Sequence, residues 1–286
     1  MNIIKAHNLA CPIDGVRLEL QEKQFVCANG HAFDIARQGY VNLLPVQHKR
    51  TKQPGDSKEM VLARSQFLNS GVYQPVAKKL ADITLAQMAG SNKICLMDAG
   101  CGEGYYLNFV CTYMQDKTGD RDLSLIGLDI SKEAIIEAAK RNKQITWIVG
   151  TNRQPPVDDE SVDIIICVFG FQNFDGFNKI LKPGGKVILI EPGSEHLKEL
   201  REVIYNEVKK SDPADLSCLN EMGFVMTDSQ SLQFKTGEIN KEQLADLLLM
   251  TPHFHRATQA GRDAASKLTK LDLSVDVVFR TLEKKH

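Results

Sequence analysis

Directly behind the apolar run Ile94-Cys95-Leu96-Met97 the chain reads Asp98-Ala99-Gly100-Cys101-Gly102-Glu103-Gly104. An acid closes a buried strand there, and three glycines at alternate positions lead into a helix. Lacking Cβ atoms, such a backbone takes φ > 0 without strain and comes into van der Waals contact with a ligand. The helix behind it offers free N–H groups. This pattern predicts a strand–loop–helix unit that holds a cofactor at the end of a sheet strand.

The surrounding sequence predicts the sheet. Short runs rich in Ile, Val and Leu at 93–98, 124–129, 145–149, 162–169 and 186–191 alternate with helical patterns at 104–115, 131–142 and 175–181. Continuous apolar strands of this kind belong to a parallel sheet covered on both faces. The expected fold class is therefore α/β, a Rossmann-like doubly wound sheet. Helices at 56–68 and 76–88 precede it, the second with Pro75 at its start. A long helix from Glu195 to Lys210, a strand at 223–234, a helix at 241–249 and a strand at 271–279 follow, the late strands reading as an antiparallel addition at one sheet edge.

Composition excludes several classes. With 286 residues, 43% hydrophobic and 25% charged, the chain is neither disordered nor fibrous. Its start lacks a basic segment followed by an apolar h-region, and no apolar run approaches a membrane span, so a cytoplasmic protein with no membrane partner is expected. Seven scattered cysteines do not form a disulfide framework. A net charge of −1 gives no global case for nucleic acid, which leaves local patches to make it. His48-Lys49-Arg50-Thr51-Lys52 is one such patch, with no acid until Asp56.

Ligands of open α/β sheets bind beyond the carboxyl ends of the strands. Asp98, Asp129, Gly150-Thr151-Asn152 and Phe169-Gly170-Phe171 all fall there. Asp129 suits the two hydroxyls of a ribose, although an N-cap for the helix near Ser131 is its bland alternative. The glycine spacing departs from G-x-G-x-x-G, and a carboxylate ahead of the first glycine repels a pyrophosphate but suits an ammonium group. S-adenosylmethionine carries both an ammonium and a sulfonium. Together the loop and the second-strand acid resemble the Rossmann-like S-adenosylmethionine-dependent methyltransferases.

Residues 1–40 have too small a core to stand unaided. They hold Cys11, Cys27 and His31, a spacing that suits zinc if a fourth ligand sits beside Cys11. The residue at that place is Asp14, and a carboxylate is harder than a thiolate and binds zinc less well.

Around these residues the chain resembles the bacterial 23S rRNA (guanine-N1)-methyltransferases. The resemblance runs through Cys11-Pro12, Cys27 to His31, Phe33-Asp34, Gly39 to Arg50 and Pro54-Gly55-Asp56-Ser57. It continues in Gly102-Glu103-Gly104-Tyr105-Tyr106, His196-Leu197, Ile204 to Val208 and Met250-Thr251-Pro252. It implies a zinc-binding, RNA-contacting module at 1–45, a basic helical linker at 46–75 and a catalytic domain at 76–286. The implied metal ligands are Cys11, Cys27, His31 and the position held here by Asp14. The implied cofactor contacts are Tyr73, Gly102-Glu103 and His196, which join Asp98, Gly100, Gly104, Asp129, Thr151 and Asn152. Lys49, Arg50 and Lys52 are assigned to RNA phosphates, the partner is a 23S rRNA hairpin, and a homodimer is kept open.

Methylation at guanine N1 requires a base, because that nitrogen carries a proton at neutral pH. Glu191, Asp175 and Glu195 are the candidates near strand ends, and the sequence assigns none of them. Phe169 and Phe171 could stack on the target base, with core packing the alternative for Phe169. Two other functions stay open at this point: a methyltransferase of the same fold with a small-molecule acceptor, and a non-catalytic RNA-binding protein with a vestigial cofactor pocket. The basic segment and the Cys/His module argue against the first.

Overall fold

A computed structural model describes residues 1–45, 54–88, 92–115, 117, 119–205, 216–251 and 257–285. At its centre lies a parallel run of β8 (Thr146–Val149), β7 (Asp122–Asp129), β6 (Lys93–Ala99), β9 (Val162–Val168) and β10 (Leu181–Pro192), in that spatial order. The order reverses direction at β6, so the loop after β6 opens at the switch point where a cleft forms. The expected antiparallel addition is present: β12 (Lys270–Lys284) pairs with β10, and β11 (Phe224–Asn240) pairs with β12. Helices α3 (Tyr105–Gln115), α4 (Lys132–Arg141) and α5 (Phe174–Ile180) make the crossovers.

Burial explains the strand composition. Leu96, Met97, Ile126, Leu128, Ile165, Ile166, Ile188 and Leu189 are all buried, divided between cores on the two faces of the sheet. Trp147 of β8 lies flat in one of these cores because Gly127 beside it has no side chain: a Cβ there would come within 2.2 Å of the indole ring. Helices α1 (Lys58–Asn69) and α2 (Gln74–Gln87) cover the same side. Ser57 caps α1 by accepting the Met60 N–H, and α2 starts on Pro75.

The first 45 residues are divided between two sheets. β2 (Leu18–Gln21), β3 (Gln24–Cys27) and β4 (Ala32–Asp34) form an antiparallel three-stranded sheet. β5 (Tyr40–Asn42) instead pairs in parallel with β8, and β1 (Asn2–Ile4) with the start of β7. Both join the main sheet. Three-residue strands carry no periodicity, so nothing in the sequence announced them.

One expected element differs. Instead of a helix from Glu195 to Lys210, α6 spans Lys198–Ile204, and Tyr205 is already extended. Residues 206–210 lie outside the described residues. α6 begins late because Leu197 takes a left-handed φ of 54° and its N–H donates to Ser274 O of β12, which ties the preceding turn to the sheet. α7 (Lys241–Met250) carries a capping box on Asn240 and Gln243, and α8 (Gln259–Ser266) follows. No helix among the described residues is long and apolar enough to cross a membrane.

Candidate active site and metal centre

The glycine loop closes with the backbone its sequence requires. Gly100, Gly102 and Gly104 have φ of 90°, 55° and 80°. The N–H groups of Gly100 and Cys101 both donate to Leu128 O at the end of β7, at 2.8 and 3.0 Å. The three glycines divide their work. A Cβ on Gly104 would meet Trp147 at 2.7 Å and Ala138 at 3.0 Å, whereas one on Gly100 or Gly102 would have 3.5 Å or more around it. Gly104 therefore seats α3 on α4, and the first two leave backbone bare toward the cleft.

That cleft is a cavity of about 1250 Å³ lined by Tyr73, Asp98, Gly100, Gly102, Glu103, Asp129, Thr151, Asn152 and His196; of the cofactor residues expected from sequence, Gly104 alone is not in its lining. Asp98 is 1% exposed, and its Oδ1 has no hydrogen-bond partner among the described residues. Burial pushes its carboxyl well above the usual carboxylate range, and the nearby Asp129 and Glu103 push it further. A buried oxygen without a partner at the mouth of a bare glycine loop fits a ligand that brings a positive charge.

Asp129 is not the N-cap of α4, the alternative raised from sequence, but it supports the residue that is. Its Oδ2 accepts the Gly102 N–H at 2.9 Å and its Oδ1 accepts the Ser131 N–H at 2.7 Å. Ser131 is the residue that caps α4. Asp129 thus braces the loop and the helix start while lining the cavity, and burial raises its carboxyl. Glu103 is 2% exposed and paired with Arg141 of α4 at 3.1 Å. Burial raises it and the Arg141 charge holds it back. Asn152 donates to Phe171 O at 3.0 Å, joining the loops after β8 and β9.

On the far wall, Tyr73 Oη lies 3.3 Å from His196 Nε2, with both side chains buried. The Asp276 backbone N–H donates to His196 Nδ1 at 3.3 Å. That assigns the imidazole proton to Nε2, which donates to Tyr73 Oη and leaves the phenol proton to be donated elsewhere. Burial holds the Tyr73 phenol far above its ordinary pKa.

The structure decides one alternative for the loop after β9. Phe169 is 42% exposed with a left-handed φ of 51°, and Phe171 is 58% exposed with the Arg153 guanidinium 5.5 Å from its ring centre. Phe169 therefore does not serve core packing. Cys167 behind them is buried, and burial pushes its thiol up to about 12, as suits a packed side chain.

Sequence reading missed Arg64 of α1, which also lines the cavity. It pairs with Asp56 at 2.5 Å and donates to Met250 O at 3.4 Å. No local pattern marks it, because its contact with Met250 is made only on folding. Lys49, Arg50 and Lys52 lie outside the described residues.

In the small sheet, Cys11, Asp14, Cys27 and His31 converge, with their ligand atoms all within 4.8 Å of one another. His31 Nδ1 lies 3.5 Å from Cys11 Sγ, 3.3 Å from Cys27 Sγ and 3.0 Å from Asp14 Oδ2. Cys27 Sγ lies 3.6 Å from the same oxygen. With Zn–S about 2.3 Å and Zn–N or Zn–O about 2.0 Å, the edges of a tetrahedral site fall at about 3.3–3.8 Å. Three of the four printed separations fall in that range and the fourth is slightly shorter, so the donor set fits zinc. Asn29 and the Val16 N–H donate to Asp14 and hold its carboxyl well below the usual range. Asp14 is thus presented as a carboxylate, the form a metal requires. Burial pushes the Cys11 thiol up to about 11.

The sheet order, the left-handed glycine loop and the buried acids define an S-adenosylmethionine-dependent methyltransferase, and a family model described as a methyltransferase domain matches residues 96–185. A second model, described as RlmA, N-terminal, a zinc ribbon, matches residues 9–52. A 23S rRNA (guanine(748)-N(1))-methyltransferase of Streptomyces fradiae is 33% identical over 197 residues, covering 68% of this chain and 67% of the relative. A Bacillus subtilis (strain 168) protein, YxjB, provisionally named a 23S rRNA (guanine-N(1)-)-methyltransferase, is 28% identical over 93% of this chain and 94% of its own. The chain belongs to the 23S rRNA (guanine-N1)-methyltransferase family. Among solved structures, a chain from the Haloferax volcanii complex of the Trm112 methyltransferase activator with its provisionally named methyltransferase superposes with a TM-score of 0.50 at 18% identity. That match covers 81% of this chain and 100% of the other and speaks for the fold.

Proposed function

We propose that this enzyme transfers a methyl group from S-adenosylmethionine to N1 of one guanine in a hairpin loop of 23S rRNA. The observation that carries the proposal is the joint presence of two sites in one chain: a cofactor cavity with its acids in place, and a zinc-ribbon cluster of the kind found in the family's N-terminal module. A small acceptor has no use for the second site.

In this reading Asp129 accepts the ribose hydroxyls and Asp98 receives the ammonium group. Tyr73, its phenol proton freed by the His196 contact, donates to the methionine carboxylate. Gly100 and Gly102 give the ligand its close approach, Gly104 and Glu103 hold the loop, and Thr151 and Asn152 border the adenine end. When bound, S-adenosylmethionine supplies a methyl group on a sulfonium whose leaving group is a neutral thioether. The protein's share is positioning and exclusion of water. Cys11, Asp14, Cys27 and His31 would hold zinc and fix the small sheet as an RNA-contacting surface, with Lys49, Arg50 and Lys52 on phosphates.

The test is mass spectrometry of 23S rRNA from cells with and without the protein. One N1-methylguanosine should disappear from a hairpin loop when the protein is removed. An unchanged set of modified nucleosides would rule the proposal out.

A further inference from the structure

Guanine N1 bears a proton that must leave as the methyl group arrives, and five carboxylates line the cavity that would receive both. Three are engaged elsewhere. Asp56 pairs with Arg64, Glu103 with Arg141, and both oxygens of Asp129 accept backbone N–H groups. Asp98 sits beneath the glycine loop, on the side given to the ammonium group. Of the other two candidates raised from sequence, Asp175 is exposed in the first turn of α5, and Glu195 borders a separate cleft with Glu199 and Lys235.

Glu191 remains. It ends β10, is 6% exposed and faces the cavity. Gln172 Nε2 donates to its Oε1 at 3.0 Å. Arg280 Nη1 of β12 stands 3.1 Å from Oε2 as an ion pair, yet Oε2 has no hydrogen-bond partner among the described residues. A buried, charge-paired carboxylate oxygen that accepts no hydrogen bond from the described residues keeps the capacity to accept one.

Strand order gives the direction. With β6 central, Asp129 and Thr151 follow β7 and β8 on one side, and Phe169, Phe171 and Glu191 follow β9 and β10 on the other. A cofactor whose ribose lies on the first side turns its sulfonium toward the second. There two exposed phenylalanines border the cavity beside Glu191, as a flipped base requires.

We propose that Glu191 is the catalytic base of this enzyme, oriented by Gln172 and Arg280 to take the N1 proton of the target guanine. This rests on the guanine-N1 reading above. N1 attacks the methyl carbon, the carbon–sulfur bond breaks with its electron pair going to sulfur, and the N1 proton passes to a Glu191 oxygen. The products are N1-methylguanine, S-adenosylhomocysteine and a protonated Glu191, which returns its proton to water after product release.

The test is single-turnover methylation of an unmodified 23S rRNA transcript from about pH 6.5 to 8.5, with the product read by mass spectrometry. When a protein group takes the N1 proton the step does not wait on hydroxide, so the wild-type rate should be flat across that range. Glu191→Gln should lower the rate about 10²–10⁴-fold. Its residual rate should climb close to tenfold per pH unit, because the N1 proton must then go to solvent. Among the described residues Arg280 of β12 and Cys167 of β9 stand beside Glu191, and Asp98 of β6, Tyr73 and His196 line the same cavity. All five are present in both proteins, so a difference in slope belongs to Glu191.

Unchanged calorimetric affinity for S-adenosylhomocysteine establishes that the variant is folded. Glu191→Asp keeps a carboxylate and should keep the flat profile at about a tenth of the rate. If Glu191→Gln does not fold, a steep profile for Glu191→Asp overturns the inference, as does a flat profile or a loss under about fivefold for a folded Glu191→Gln. Absence of N1-methylguanine from the wild-type reaction would instead overturn the proposed function.

Discussion

At the metal centre the ligand atoms come from side chains on the turns of a three-stranded sheet, whereas the cofactor cavity is shaped by backbone and acids at the ends of strands buried on both faces. The small sheet contributes few buried side chains, Leu18, Phe25 and Cys27 among them, and these join the core on one face of the main sheet. With so small a core of its own, that sheet would draw local stability from a metal held by its four donors. The cavity stands on an apolar core that needs no ligand, and its cost is carboxylates kept from water. One site gains order from its ligand; the other holds unfavourable charge until its ligand arrives.

The largest way to break this contrast is Cys27→Ser. Zinc measured on the purified protein should fall from about one per chain to near none. Amide exchange should accelerate across 18–34 while S-adenosylhomocysteine still binds. Equal loss at both sites would mean that the cavity depends on the metal.

Glycine replacement tests the two frameworks directly. Gly104 and Gly15 share a left-handed backbone, with φ of 80° and 75°, but a Cβ on Gly15 meets nothing within 4 Å. Gly15→Ala should cost about 1–2 kcal/mol from backbone strain alone. Gly104→Ala adds about 1–3 kcal/mol for crowding Trp147 and Ala138, for a total of about 2–5 kcal/mol. Denaturant unfolding reads both, and equal losses would show that the loop yields as a surface turn does.

Asp98→Asn sharpens the cavity's side. Its carboxyl is raised in the folded protein, so the native state holds that proton more tightly than the unfolded chain and loses stability as pH rises from the ordinary carboxylate range through the raised value. The variant, which cannot ionise, should unfold at a higher temperature than wild type near pH 7.5. The gain should shrink toward pH 4, while S-adenosylmethionine affinity falls about tenfold or more. Lower thermal stability at every pH would contradict a stored charge penalty. The smallest effect is expected from Asp14→Cys, which should tighten zinc about tenfold because thiolate is the softer donor. Unchanged affinity would mean that Asn29 and Val16 already make the carboxylate an equal ligand.

Much of this was legible in the residues themselves. The strands from Lys93 to Val168 and the turn-forming glycines are local patterns, and local patterns survive folding. Arg64, Arg141 and the engagement of Glu191 were not legible, because each depends on a partner distant in sequence: Arg64 on Met250, Arg141 on Glu103, Glu191 on Arg280. Phe169 reads as the end of an apolar strand, yet its N–H donates to Ile190 O while its φ turns positive and points the ring outward. Backbone reversal at one residue cannot be read from hydropathy.

The parallel pairing of Tyr40–Asn42 with Trp147–Val149 has a practical consequence. An uncovered strand at the rim of a sheet is a template on which a second chain can add. A catalytic fragment begun after residue 45 would bare the flank of β8, an entirely buried strand of Thr, Trp, Ile and Val. The ribbon segment is therefore also a guard against self-association, and a fragment lacking it should come out of cells as aggregate even if every residue of the cavity is present.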